Sequence, residues 1–430
     1  MAQVEYNDEQ EAAINKAVLW YTNIDNTPPN EEPNLVFELT GYAGTGKTTT
    51  IKGIIKKLGV QGVQFAAFTG KAASVINQHS GFPAQTIHSL IYKYVQPDKE
   101  ACEYLYKQLW DEKFEDYERD EHERNRIQKE LDEKQKPHFE LKRKDETDLA
   151  DCPLLVLDEC SMVGEEMLHD LLLFEVPIIA LGDPGQLPPV EDNRGLFLGK
   201  PDAHLEKIHR QAEGNPIIEA SFKARKGVPW IVGDVIETEE GSFRSMAFNH
   251  SQRTEEILIN AGQVLCGKND TRRELNTKMR KRLGFDWRDP YPQKGERVCC
   301  WKNDKEKGLF NGDQGIVTAV GDLFDDYVVF SVLLDRTGHE VQVSALRAYF
   351  DEYFTPGSLK QVQWWQRRDT QEFDFGYAIT VHKAQGSQWE NVVLVDDGLF
   401  RGWRNKREER KQFLYTAVTR AAKDFIVMAR

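Results

Sequence analysis

Four short apolar runs in the N-terminal half each end in a polar turn that carries chemically useful side chains. Leu35-Val36-Phe37-Glu38-Leu39-Thr40 leads into Gly41-Tyr42-Ala43-Gly44-Thr45-Gly46-Lys47, and residues 64–68 lead into Thr69-Gly70-Lys71. Residues 154–157 end in Asp158-Glu159, and residues 177–181 end in Gly182-Asp183. Near-continuous apolar strands of this length suit a parallel sheet buried on both faces. In open α/β sheets of that kind, function gathers at the carboxyl ends of the strands. The same pattern returns late. Gly262-Gln263-Val264-Leu265-Cys266 opens it, Gly376-Tyr377-Ala378-Ile379-Thr380 runs into Val381-His382-Lys383, and residues 392–395 and 425–428 follow. The expected fold class is therefore α/β, with two parallel-sheet units.

Two stretches interrupt this pattern. Residues 98–136 are charge-rich, with Tyr104, Leu105, Trp110, Phe114, Tyr117 and Ile127 at loose helical spacing, which predicts a solvated helical insertion. Residues 286–353 are strand-like and turn-rich, with Arg297-Val298-Cys299-Cys300-Trp301, Gly315-Ile316-Val317 and Tyr327-Val328-Val329-Phe330, which predicts a small all-β insertion. At 430 residues the chain is long enough for two to four domains.

The net charge of −14 argues against a protein that coats nucleic acid by its overall field. The acid is unevenly spread, however: residues 98–148 hold 18 acidic against 12 basic residues. A local basic groove elsewhere is left open, and the motifs must decide. The longest apolar run, near residues 171–181, is broken by Glu175 and Pro177 and is too short to span a bilayer. The first residues have neither the basic start nor the apolar stretch of a secretory signal. The six cysteines form no C-x-x-C pair and read as reduced core thiols. The expectation is a soluble cytoplasmic protein with no membrane partner.

Gly41-x-x-x-x-Gly46-Lys47-Thr48, after a strand and before a helix-compatible segment, is a complete phosphate-binding loop. Glycines, including Gly44, let backbone amides turn inward onto phosphate oxygens. Thr45 and Thr49 flank that cradle, Lys47 brings a point charge to the β and γ phosphates, and Thr48 supplies a hydroxyl to Mg²⁺. Asp158-Glu159 is the complement: Asp158 is expected to hold Mg²⁺, and Glu159 to orient and deprotonate the attacking water. In Gly182-Asp183-Pro184-Gly185-Gln186-Leu187-Pro188-Pro189, Gln186 is placed to sense the γ-phosphate.

The order of these motifs, with Phe68-Thr69-Gly70-Lys71-Ala72-Ala73, Thr86-Ile87-His88-Ser89, His209-Arg210-Gln211, Val381-His382-Lys383-Ala384-Gln385-Gly386 and Tyr415-Thr416-Ala417-Val418-Thr419-Arg420, resembles the superfamily 1 helicases. The RecD-like and Dda-like enzymes of the 5′→3′ branch are the most similar, over nearly the whole chain. The resemblance implies two RecA-like motor domains with ATP between them. It assigns 1–97 and 145–200 to the first, 201–285 and 358–430 to the second, 98–144 to a charged helical insertion with a wedge hairpin, and 286–357 to a small β-barrel. It implies that Gln10 reads the adenine edge, that Gly386 borders the nucleotide, and that Arg210 and Arg420 reach the γ-phosphate as arginine fingers.

A single strand needs donors for its phosphates and flat faces for its bases. The candidates are Thr69, Lys71, Thr86 and His88, with Thr380, His382, Lys383 and Gln388 from the second motor domain; Phe68, Tyr92, Tyr94 and Trp389 are stacking faces or ordinary packing. Residues 91–95 and 138–142 are expected to pair as the wedge hairpin. The implied activity is ATP-driven 5′→3′ unwinding by a monomer that tracks along single-stranded DNA and opens forked duplex, with a replication or recombination protein as a further partner. An RNA-directed helicase and a non-helicase phosphate-loop ATPase are the alternatives.

Overall fold

The computed structural model describes residues 5–28, 31–79, 81–95, 101–102, 104–105, 108, 117–134, 138–188, 200–207, 214–304, 306–362, 366–367, 370–401 and 406–430. The chain divides into two compact units, Met1–Thr86 with Asp151–Arg430, and Ile87–Ala150.

The first sheet is built from β1 (Val36–Gly41), β2 (Gln64–Ala67) and β3 (Ala84–Thr86). After the excursion through β4 (Tyr92–Val95) and β5 (His138–Leu141), it continues with β6 (Leu155–Asp158), β7 (Ile178–Gly182) and β8 (Ala203–Leu205). Its order is β3-β2-β6-β7-β1-β8, and every neighbouring pair is parallel. Helices α1 (Asp8–Ile24) and α2 (Lys47–Leu58) cover it: Ile14 and Ala17 of α1 and Ile51 and Ile54 of α2 share one buried cluster with Phe37 and Leu39 of β1. β7 reads Ile178-Ile179-Ala180-Leu181-Gly182 and is buried at every position, as suits an interior strand of a parallel sheet. Each of its isoleucine and leucine side chains contributes about 1.5–3 kcal/mol. β8 pairs with β1, so the first sheet runs past residue 200, where the sequence reading changed domain. Three residues are too few to show a period, and only the hydrogen bonds to β1 reveal the strand.

The second sheet starts with β9 (Val235–Thr238), β10 (Gly241–Ala247) and β11 (Gln263–Cys266). A five-stranded sheet then intervenes: β12 (Arg297–Cys300), β13 (Gln314–Leu323), β14 (Tyr327–Leu334), β15 (Glu340–Leu346) and β16 (Phe373–Phe375), in the order β15-β14-β13-β12-β16 with antiparallel pairs. Gln371, just before β16, exchanges backbone hydrogen bonds with Ser344 and Leu346, bringing the two edges together. This small β domain therefore takes in residues 371–375, beyond the limit at 357 read from sequence. Phe373 and Phe375 are apolar and buried in the core it shares with Val298 and Phe330, so hydropathy alone gave no sign of which sheet owned them.

β17 (Ala378–Thr380), β18 (Trp389–Asp396) and β19 (Ala421–Ala429) complete the second sheet, in the order β17-β11-β18-β19-β10-β9. All of its pairs are parallel except edge strand β9. Helix α3 (Gly70–His79) follows β2 in the first sheet domain. In the second, two helices face that domain. They are α5 (Pro216–Lys226), started by the Asn215 side chain accepting from Ile217 N and by Pro216, and α7 (Arg407–Val418); α6 (Asn269–Arg282) lies between them in sequence.

In the smaller unit, β4 and β5 pair antiparallel from Tyr92 opposite Leu141 to Val95 opposite His138, the hairpin expected from sequence. Lys142 ties its base by donating from Nζ to Ser89 O at 2.6 Å. Helix α4 (Tyr117–Lys134) forms part of the charged stretch, with Ile127 and Leu131 buried against Leu105. Trp110 and Phe114 lie outside the described residues. No helix among the described residues is long and apolar enough to cross a membrane. All six cysteines are free thiols, and five of them are buried.

Candidate nucleotide and strand sites

The end of β1 turns sharply into α2, and Gly44 and Gly46 sit there at φ 81° and 82°, a left-handed conformation other residues rarely adopt. The loop is braced from inside: Thr45 Oγ1 donates to Tyr42 O at 2.8 Å, and Lys47 Nζ donates to Gly41 O at 2.6 Å and to Tyr42 O at 3.3 Å. Thr48 is exposed at the first turn of α2, and Thr49 is half-buried. Gln10 is fully buried. Its Oε1 accepts from Asn7 N at 3.1 Å and its Nε2 donates to Thr45 O at 3.4 Å, so its amide links the start of α1 to the phosphate loop.

At the end of β6, Asp158 Oδ1 accepts from Glu159 N at 2.8 Å. Glu159 has φ 55°, rare for a residue with a Cβ and of a kind that concentrates at functional sites. Burial, then the neighbouring Glu159 charge, push the Asp158 carboxyl up to about 6, while Lys47 pulls the other way. A carboxylate held at that cost suits a cation. Gln186 is buried on the next strand's turn, and its Oε1 has no hydrogen-bond partner among the described residues. Such an orphaned acceptor is uncommon in a native core and is expected where a ligand completes the site.

The second sheet domain closes over this loop. Tyr415 of α7 accepts from Ala43 N at 2.9 Å and donates to Asp183 Oδ2 at 2.6 Å. Thr416 Oγ1 accepts from Leu187 N, and Gln385 Nε2 donates to Leu187 O, both at 3.0 Å. The Arg225 guanidinium of α5 stacks on the Tyr42 ring, 3.5 Å from its centroid. A cavity of about 400 Å³ opens there, walled by Tyr42, Gly185, Arg225, Lys226 and Lys411. Arg420 is buried and donates to Thr416 O, Ser387 O and Thr419 Oγ1, all neutral acceptors. Arg210, with His209, lies outside the described residues.

The strand candidates fall in two groups. Thr69 Oγ1 caps α3 by accepting from Ala72 N, and Gly386 comes so close that a Cβ built on it would lie 2.9 Å from that hydroxyl. Lys71 lies over the Trp389 ring at 4.9 Å, and a cavity of about 280 Å³ brings Lys71 together with Gln388, Trp389, Arg297 and Arg336. Burial lowers the Lys71 pKa. Thr380 is buried and its hydroxyl accepts from Lys383 N at 3.4 Å; Lys383 lies over Trp301 at 5.4 Å. Burial lowers the pKa of His382, favouring its neutral form. Phe68 is half-buried at the end of β2, as is Thr86 at the end of β3. His88 belongs to the smaller unit, where it joins an aromatic cluster with Tyr92, Tyr94 and Phe139. Tyr94 and Phe139 are 50% and 57% exposed, so this hairpin presents flat apolar faces to solvent.

Sequence reasoning missed Asp183, Tyr415, Tyr42 and Arg225 as members of the candidate nucleotide site. Tyr415 carried a signal, since it stands in the same motif as Arg420. Arg225 carried none, because α5 reads as an ordinary amphipathic helix.

Residues 29–238 match the AAA domain family, and residues 375–428 match the UvrD-like helicase C-terminal domain. The chain is 26% identical over 420 residues to the ATP-dependent RecD2 DNA helicase of Deinococcus radiodurans, covering 90% of this chain and 46% of that protein. It is 26% identical over 266 residues to the ATP-dependent DNA helicase Dda of phage T4, covering 57% and 52%. The chain thus spans about half the length of these curated relatives. The structure of a Bacteroides Pif1 bound to single-stranded DNA has the same fold, with a TM-score of 0.50 at 19% identity, over 99% of this chain and 92% of that one. In its matched domains and along most of its length, the chain is similar to the superfamily 1 helicases of the RecD, Dda and Pif1 type.

Proposed function

We propose that this chain is an ATP-driven helicase that moves 5′→3′ along single-stranded DNA and opens forked duplex ahead of it. The observation that carries the reading is the closure of one parallel-sheet domain over the phosphate loop of the other, through Tyr415, Thr416 and Gln385. A nucleotide bound in such a cleft changes the relation of the two domains when its γ-phosphate leaves, and that change is the step.

In this reading, phosphate oxygens displace the loop carbonyls as partners of Lys47, with amides of residues 44–48 cradling them. Thr48 and Asp158 fit Mg²⁺, which supplies positive charge to the phosphate oxygens when bound. Glu159 takes the proton of the attacking water, Gln186 meets the γ-phosphate, and Arg420, with Arg210, neutralises charge that develops on it. The Gln10 amide, fixed against Thr45, borders the adenine. Thr69, Lys71 and Thr86 on one side, and Thr380, His382, Lys383 and Gln388 on the other, grip the strand at two points whose spacing changes with closure. The β4–β5 hairpin, with His88 at its base and Phe139 exposed, serves as the wedge. The motor works as a monomer, with a replication or recombination protein as its further partner.

The test is ATP turnover with and without a single-stranded oligonucleotide of DNA or RNA, together with unwinding of forks bearing a 5′ or a 3′ loading tail. Strong stimulation by DNA with unwinding from the 5′ tail is the expected result. Unwinding from the 3′ tail alone overturns the polarity, greater stimulation by RNA reassigns the substrate, and no stimulation by either removes the motor reading.

A further inference from the structure

Tyr415 is 1% exposed, and its hydroxyl joins three separate segments. One phenol oxygen accepts one N–H, from Ala43 in the phosphate loop, and spends its only proton on Asp183 at the end of β7. Asp183 is itself fixed, because its other oxygen accepts from Gly185 N at 3.0 Å. The ring is held as closely as the hydroxyl: a Cβ built on Gly185 would lie 2.9 Å from it. Burial raises the pKa of the phenol well above its ordinary value, so the proton stays on oxygen and the donor–acceptor order is defined. On the adjacent residue, Thr416 takes Leu187 N, and the Leu187 side chain is buried in the core of the second sheet domain. The turn after β7 is thereby bound to α7 at two successive residues. Arg420 lies five residues further on, just past the C-terminus of the same helix.

We propose that Tyr415 is a positioning residue that ties the phosphate loop and the turn after β7 to α7, so that the place of Arg420 is set by the phosphate loop itself. The proposal rests on the reading of this cleft as an ATP site. Among the described residues Arg420 donates only to carbonyl and hydroxyl oxygens, and no carboxylate there neutralises it. A buried guanidinium so placed gains when an anion arrives, and can exchange weak acceptors for a phosphate without breaking an ion pair. Tyr415 decides where that exchange takes place. A helix end free to slide by about 1 Å loses most of the benefit of a charge aimed at a transition state. By the same linkage, strand binding that shifts the second sheet domain is transmitted to Ala43 and Asp183 through one hydroxyl.

Tyr415→Phe removes the hydroxyl and keeps the ring against Gly185. Asp183→Asn keeps an acceptor for the phenol and removes the charge. The full chain is used for both, beside wild type and Lys47→Ala. Affinity for a fluorescent, slowly hydrolysed ATP analogue, kcat at saturating ATP with and without oligo(dT), and Tm are measured. For Tyr415→Phe the expected result is analogue binding within about 3-fold of wild type, with kcat in the presence of DNA down about 10- to 100-fold, the range for a hydrogen bond to a charged group. The stimulation ratio falls with it, and Asp183→Asn lies between the two. Wild-type kcat and stimulation in Tyr415→Phe overturn the proposal, as does a loss confined to Tm in both variants. If Tyr415→Phe does not fold, an Asp183→Asn protein with wild-type stimulation overturns it equally. Failure of the underlying ATP-site reading looks different, since wild type and Lys47→Ala would then bind the analogue alike.

Discussion

In the first sheet domain Lys47 reaches back onto the carbonyls of its own loop, and Asp158 is held by the amide of its own neighbour. In the second, Arg420 rests on three neutral acceptors, and Tyr415, Thr416 and Gln385 look outward, onto the first domain. One side is a cradle whose shape is set by local backbone geometry. The other is a set of long side chains whose partners depend on how the domains meet. Under the proposed function, the difference teaches that phosphate binding and phosphate cleavage are separable: the first needs one domain, the second needs both. Arg225 on Tyr42 adds a third contact of the outward kind.

The largest break should come on the cradle side. Lys47→Ala and Glu159→Gln are each expected to lower ATP turnover at least about 10³-fold while single-strand affinity in a gel-shift or anisotropy assay survives. Wild-type turnover in Glu159→Gln would sink its assignment as the base. Next comes the outward side. Arg420→Ala should lower kcat about 10²- to 10³-fold with analogue binding nearly unchanged, and Arg420→Lys should recover little, because a point charge does not replace the planar fork. Equal losses in binding and turnover would erase the separation between the two domains.

Smaller effects sharpen the strand groove. Lys71→Ala should weaken single-strand binding severalfold and reduce the slope of log K against log salt by about 0.7, one phosphate contact on a single strand. An unchanged slope would remove Lys71 from the groove and leave it as a packing residue over Trp389. The smallest concerns stability. Burial lifts the Asp158 carboxyl to about 6, above the unfolded value of about 3.9, so the folded state holds an extra proton between those values. The stabilisation is present below about pH 4 and is lost as pH rises through about 6. Asp158→Asn has no proton to lose. Its Tm in nucleotide-free, metal-free buffer should therefore gain on wild type by about 2–4 °C between pH 4 and 7. A constant gap would mean that Asp158 titrates as an ordinary carboxylate.

Much of this was legible in the chain. The strands now seen as β1, β2, β6, β7, β11, β18 and β19 each contain or adjoin an apolar run readable in sequence, because burial on both faces leaves no polar alternation to confuse the pattern. The phosphate loop and the Asp158-Glu159 turn were legible because their geometry is local: a left-handed glycine pair and a strand end are written in consecutive residues. The β4–β5 pairing was legible only through the family resemblance, which implies a hairpin between the Thr86-Ile87-His88 segment and the Asp158-Glu159 strand. What the sequence by itself determined is therefore the class of fold, the two sheets and the cradle.

The tertiary structure decided the rest. It assigned Ala203–Leu205 to the first sheet and Phe373–Phe375 to the small β domain, because short strands are defined by the partner that takes their hydrogen bonds. It brought Lys71 beside Gln388 and Trp389, more than 300 residues away in sequence. It placed Tyr415 between Ala43 and Asp183, and Arg225 on Tyr42. Residue type and spacing encode what a segment can do with its neighbours in the chain. Which distant segment it meets depends on the summed burial and hydrogen bonding of the whole domain, and only the folded chain expresses that sum.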